Sequence, residues 1–169
     1  MTKVWVSFAA ATLGLAGSLG TWAAEPVPNG AAATVTQVYR DYAWQAVIDE
    51  PANAGVDLFD QPAPVLGRYF DPHLVELIAR DHQCRERTHE VCRLDFAPIW
   101  DSQDPAASEM KIRTTSVPSK VSVDFAYPDK STHVHILYVL SQTPAGWRIT
   151  DIQGHDWSLR KLLEAKLDP

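Results

Sequence analysis

The sequence predicts an α+β domain in which helices come first, an antiparallel meander follows and one helix closes the chain. Three observations carry this. Residues 35–46 and 72–84 place apolar side chains at i, i+3, i+4 and i+7 spacing. Residues 110–152 change to a period of two, and Ser158–Leu167 returns to helical spacing. The expected architecture is a set of N-terminal helices packed on a curved antiparallel sheet of about four strands, with a C-terminal helix. Helices cover one sheet face and the other is partly open.

The first element is an address. Lys3 gives a short positive start, and Val4–Gly20 is an apolar run rich in Ala and Gly. Thr21 and Ala23 place small residues at −3 and −1 of a cleavage site, before the polar Glu25-Pro26. This is the pattern of a secretory signal peptide over residues 1–23. The alternative is an uncleaved anchor, because the run is close to the minimum of roughly 17 residues that spans a bilayer. No twin-arginine pair precedes it, and no cysteine follows it for lipid attachment. Residues 24–33 read as a flexible leader, and 34–169 as one domain.

Thr34 is the expected cap of the first helix, with Val35, Val38, Tyr39, Tyr42 and Ala46 on its buried stripe, ending before Pro51. Pro51–Gly67 and Ala97–Ser108 read as irregular. A second helix starts at Asp71-Pro72, aspartate as cap and proline in the first turn, and frays near Cys84. Strands are expected at Met110–Val117, Lys120–Tyr127, Thr132–Gln142 and Trp147–Ile152. Pro128–Ser131 turns the central hairpin and Thr143–Gly146 the next one. Leu159, Leu162 and Leu163 form the buried stripe of the last helix.

The chain carries 15 Lys+Arg against 21 Asp+Glu, a net charge of −6, and loss of Lys3 with the leader makes it −7. Such a chain lacks the clustered cations that phosphate contacts require, so nucleic-acid binding is not expected. Arg80, Arg85, Arg87 and Arg93 do cluster, but Asp81, Glu86, Glu90 and Asp95 interleave with them.

Cys84 and Cys92 are the only cysteines. In an oxidising compartment a disulfide is the default. Eight residues of continuous helix span about 12 Å, whereas bridged Cα atoms lie roughly 4.4 to 6.8 Å apart. A bonded pair therefore requires the helix to end between them, leaving Arg85–Val91 as a tied loop. The alternatives are a redox pair, which usually has two intervening residues, and a zinc site with His82 and His89, for which the spacing matches no standard pattern.

The run Phe96-Ala-Pro-Ile-Trp-Asp-Ser-Gln-Asp104, the strands after it, Gly146-Trp-Arg-Ile-Thr-Asp-Ile152 and Ser158-Leu-Arg-Lys-Leu-Leu-Glu164 together resemble an uncharacterised family of exported bacterial proteins. Its members carry an acidic Gln-Asp element before the sheet and a Trp-x-Ile-x-Asp-Ile … Ser-Leu-Arg-x-Leu-Leu ending. The family is similar to the cone-shaped α+β fold of nuclear transport factor 2. The resemblance covers Val35–Lys166, more strongly in the second half. It implies a fold and a periplasmic setting, and no reaction. Some members are lipoproteins, and this chain departs from them in lacking the lipid-attachment cysteine.

Candidate chemistry is sparse. Gly-x-Ser-x-Gly, phosphate-cradling and His-Glu-x-x-His motifs are all missing from the sequence. His133 and His135 share a strand face, but two ligands do not make a zinc site, so no metal or cofactor is expected. Asp101, Gln103 and Asp104 form an acidic loop before the sheet, which in a cone fold reaches the cavity mouth. Asp124 lies on the polar face of its strand, opposite or near His133. A carboxylate and imidazole in a pocket would form a proton-transfer pair, so Asp101, Asp124 and His133 are the catalytic candidates. The same residues also suit turns and a surface cross-strand pair. Gln103, Asp104, His135 and Trp157 are the binding candidates. Trp100 and Trp147 suit the core as well as a cleft.

The expected function is that of an exported, periplasmic, non-catalytic domain binding a protein or small ligand, with an inhibitor or immunity role as one concrete version. The alternative is a small isomerase- or hydrolase-like enzyme using an Asp/His pair in a pocket. No membrane anchor is expected after cleavage, and an uncovered sheet face allows a homodimer.

Overall fold

A computed structural model describes residues 30–47 and 55–166. Residues 1–29, Pro51 and Leu167 lie outside the described residues, whereas residues 31–33, expected to belong to a flexible leader, form the first turn of a helix. The fold is α+β, with helices N-terminal, a four-stranded antiparallel sheet and a C-terminal helix.

Helix α1 runs from Ala31 to Tyr42 and continues as a 3₁₀ turn, Ala43–Ala46. It starts three residues before Thr34. Gly30 takes the cap position without a side-chain bond, and Thr34 Oγ1 donates instead to the Trp147 carbonyl at 3.2 Å. Val35, Val38, Tyr39 and Tyr42 form its buried stripe, at the expected positions. The stretch read as irregular holds a second 3₁₀ turn, Leu58–Asp60, and a short helix α2, Ala63–Leu66.

Helix α3, Pro72–Thr88, begins as its sequence indicates. Asp71 accepts from Leu74 N at 2.9 Å, which satisfies an orphan donor of the first turn. Leu74, Leu77 and Ile78 are buried. The helix runs one turn past Cys84, so the tied segment is half helix. It stops at His89, which adopts the left-handed conformation (φ 58°) that turns a chain out of a helix. That break brings Cys92 back, and a disulfide joins it to Cys84 with Cα atoms 6.2 Å apart. Replacing both cysteines with serine is expected to lower stability by about 2 to 3 kcal/mol, the loop-closure entropy of so short a ring. Urea unfolding of the oxidised wild type against the double variant measures it, and equal midpoints would contradict it.

The strands are β1 Ser108–Thr114, β2 Lys120–Ala126, β3 His133–Thr143 and β4 Gly146–Gln153, in sheet order β1-β2-β3-β4. The central turn forms at Pro128–Ser131, where Tyr127 N donates to Thr132 O at 2.9 Å and Asp129 accepts from Ser131. Val121, Val123, Phe125, Ile136, Tyr138 and Leu140 point to the helices. The outer edge of β4 is occupied: Ile149 N donates to Tyr69 O at 2.8 Å and Asp71 N to Ile149 O at 2.9 Å.

Between α1 and the sheet the space is filled. Tyr39, Trp100, Phe125 and Tyr138 are all buried and meet edge to face, with ring centroids 5.2 to 6.2 Å apart. Tyr138 OH donates to Tyr39 OH at 2.9 Å, which donates to the Ile99 carbonyl at 2.7 Å. The chain of donors ends on an acceptor, so no hydroxyl is stranded. Burial pushes both phenols up, which keeps them neutral.

Helix α4, Leu159–Glu164, is capped by Ser158, which accepts from Lys161 N. Asp151 explains the aspartate of the Trp-x-Ile-x-Asp-Ile run. It is buried, and accepts from Ser158 Oγ at 2.9 Å, Arg160 N at 3.0 Å and Gln153 Nε2 at 2.8 Å. It thus ties the last strand to the start of α4. Asp151→Ala is expected to cost about 2 kcal/mol, roughly the worth of one charge-assisted bond and less than the sum of three, because Gln153, Ser158 and Arg160 are not buried and their freed donors regain water. Loss of α4 protection in amide exchange would localise the effect, and unchanged protection would contradict it. Among the described residues no helix is long and apolar enough to cross a membrane.

Candidate functional site

The sequence candidates separate into three places. On the open sheet face Asp124 meets His135, not His133. The β2–β3 register puts Asp124 opposite His135 and Ala126 opposite His133. His135 Nδ1 lies 2.7 Å from Asp124 Oδ1, and Arg113 Nη1 donates to Asp124 Oδ2 at 3.2 Å. Both pairs are exposed, the environment in which ion pairs contribute least. The expected Asp124–His133 pair therefore does not form.

Asp101 and Trp157 come together. Asp101 has a positive φ of 52° and accepts from Trp157 Nε1 at 2.6 Å. The indole lies across Gly154, where an added Cβ would sit 2.2 Å from Nε1, so only glycine fits beneath it. Phe96 packs edge-on against the same indole at 4.9 Å. Asp101, His133, His135 and His155 border one cleft of about 430 Å³. Asp101 is committed to the indole there, and His133 is exposed at the cleft's edge. Among the described residues no group of three or more His, Cys, Asp or Glu side chains is placed to hold a metal ion.

Gln103 and Asp104 point elsewhere, to a larger cleft of about 630 Å³. Five segments build it, Arg85 of α3 being one. The 3₁₀ turn after α1 supplies Trp44 and Gln45. The turn at Leu58–Asp60 supplies Asp57, Phe59 and Asp60. The chain after α3 supplies Val91, Leu94, Asp95 and Phe96. Gln103, Asp104 and Pro105 close it before β1. Its volume lies in the range of small-molecule sites, and its walls mix apolar surface with a few polar groups, as such sites do.

Asp57 is the fixed polar group of this cleft. Its Oδ1 accepts from Phe59 N at 2.7 Å, and its Oδ2 accepts from Gln45 Nε2. Gln45 Oε1 in turn accepts from the buried Trp100 Nε1 at 3.0 Å. The orientation of the carboxylate is therefore set from the core outward. Burial raises the Asp57 carboxyl above its ordinary value. The Phe59 N–H opposes this, Asp60 adds to it, and Arg85 and Gln45 oppose it. Gly55 is in positive φ (136°), a backbone conformation that favours glycine, and packs beside the Trp44 ring. Arg85 is engaged, donating to Asp60 Oδ1 at 2.7 Å and lying 3.6 Å from Asp81 Oδ2.

Gln103 and Asp104, binding candidates from the sequence, border this cleft. Trp44, Gln45 and Asp57 were missed, because they sit in turns without periodicity on either side of Pro51. The one available signal was an aspartate two residues before an aromatic in a Pro/Gly-rich stretch.

No protein-family model matches the chain, and no curated protein matches it. Two solved structures are similar. One is a protein of unknown function from Bacteroides thetaiotaomicron VPI-5482, 15% identical, with a TM-score of 0.41, covering 73% of this chain and 88% of that chain. The other is a phospholipid-binding protein from Ralstonia solanacearum in complex with a phospholipid, 14% identical, with a TM-score of 0.42, covering 80% of this chain and 84% of that chain. At this degree of overlap neither similarity carries a ligand over to this chain.

Proposed function

We propose that this protein is an exported, non-catalytic binding domain of the cone-shaped α+β type, and that the cleft between Trp44, Asp57, Phe96 and Asp104 is where it holds its partner. One observation carries the reading: the largest of the described clefts has a lining carboxylate, Asp57, fixed by Gln45 and Phe59 N, with Trp100 anchoring Gln45 from the core. Groups held by packing and a supporting hydrogen bond are preorganised for binding. Of the Asp/His candidates, Asp124 and His135 lie on the open face where water reaches both, and Asp101, which shares a cleft with His133, accepts from Trp157 Nε1. The disulfide and the signal-like leader agree with an oxidising, extracytoplasmic setting. An inhibitor or immunity role is the specific version that suits a small exported binder.

Native mass spectrometry of the protein recovered from a periplasmic extract tests this. A partner or small adduct retained at fixed stoichiometry by wild type and lost on Trp44→Ala is the expected result. Retention by Trp44→Ala together with loss on His133→Ala would move the site to the sheet and restore the enzyme reading.

A further inference from the structure

The charge on the cleft walls says what kind of group it takes. Asp57, Asp60, Asp95 and Asp104 all border it, and Arg85 is the one cation among the described lining residues. Arg85 is already shared between Asp60 and Asp81. Among the described residues, the other three carboxylates, Asp57, Asp95 and Asp104, form no ion pair. Asp57 is the most enclosed of the three, and burial raises its carboxyl despite the Phe59 N–H, Arg85 and Gln45, so an added positive group beside it would favour its charged form. The remaining wall is aromatic and aliphatic: Trp44, Phe59, Phe96 and Leu94. Aromatic faces attract cations within about 6 Å of the ring centre, with guanidinium favoured. An anionic or purely apolar guest would meet uncompensated carboxylates at close range.

Resting on the binding reading above, we infer that the cleft recognises a guanidinium or ammonium group carried on an apolar stem, its charge set against Asp57 and its stem against Trp44 and Phe96. The stem fills the apolar wall while the head replaces water at the carboxylates. An arginine or lysine side chain of a partner polypeptide and a free alkyl guanidine both present this chemistry.

The test is an NMR titration of the protein with three probes: a blocked Ala-Ala-Arg-Ala-Ala peptide, the same peptide with citrulline (neutral and nearly isosteric) in place of arginine, and agmatine. The expected result is a shift of the Trp44 indole resonance and at least ten-fold tighter binding of the arginine peptide or agmatine than of the citrulline peptide. Asp57→Asn is expected to weaken the charged probes about ten-fold. The exposed-rim variant Asp104→Asn weakens them less and guards against a folding defect at Asp57, and Glu76→Gln on the outside of α3 leaves them unchanged. The ranking of peptide against agmatine names the source of the cation. Equal binding of arginine and citrulline peptides at Trp44 would overturn the charge recognition and leave the cleft as the site. No shift at Trp44 with any probe, together with partner capture unaffected by Trp44→Ala, would overturn the cleft as well.

Discussion

Replacing Asp81 by alanine is expected to lower the stability of the fold by about 3 kcal/mol, at the lower end of what removal of one member of a buried ion pair costs. Asp81 sits in α3 at 2% exposure, one of two buried charged residues among the described residues. Its Oδ1 accepts from Arg93 N at 2.9 Å and lies 3.8 Å from Arg93 Nη1, and its Oδ2 lies 3.6 Å from Arg85 Nε. It thus holds the chain that returns from the disulfide against the helix. Alanine leaves two guanidinium groups without this counter-charge and the Arg93 N–H without an acceptor. The effect stays at the low end because both arginines keep another partner, Asp60 for Arg85 and the Ala165 carbonyl for Arg93. Asp81→Asn recovers part of the loss, since its carbonyl still accepts from Arg93 N. Urea unfolding of the two variants checks this, and a loss below about 1 kcal/mol for alanine would show that the pair is no stronger than a surface one.

Trp100→Ala is expected to cost about 3 to 5 kcal/mol, the range for deleting a large buried aromatic. Its exposure is 1%, and its ring meets Tyr39 and Phe125 edge to face. The informative comparison is Trp100→Phe, which keeps most of the apolar volume and removes the N–H that Gln45 accepts. That change costs about 1 kcal/mol of stability, the worth of one hydrogen bond, and weakens ligand binding more than it weakens the fold, because Gln45 no longer holds Asp57. Thermal melts and a binding titration on the same samples separate the two effects. Binding that falls only in step with stability would contradict the link from Trp100 through Gln45 to Asp57.

The sheet and α3 were legible because their signals are local. Strict alternation over Val121, Val123 and Phe125 fixes which face is buried, and Asp71-Pro72 has the geometry of a helix start whatever surrounds it. The errors occur where a distant partner decides. Thr34 suits a cap, but the Trp147 carbonyl, 113 residues away, takes its hydroxyl, and the helix starts earlier at Gly30. Asp124 was placed near His133 from hairpin length alone. The Tyr127–Thr132 closure instead sets a register that brings in His135. The Trp157–Asp101 hydrogen bond spans 56 residues and has no local signal in the sequence. The cleft shows the same limit, since Gln45, Asp57, Phe96 and Asp104 share no pattern in the sequence until the fold assembles them.

The measurement that bears most directly on the cleft as the binding site is a backbone and indole chemical-shift map of the protein before and after its captured partner is added. Perturbations centred on Trp44, Gln45, Asp57 and Gln103–Asp104, with Ser122, Asp124 and His135 unmoved, are the expected result. Perturbations centred on Asp124, His133 and His135, with the Trp44 indole unmoved, would contradict it.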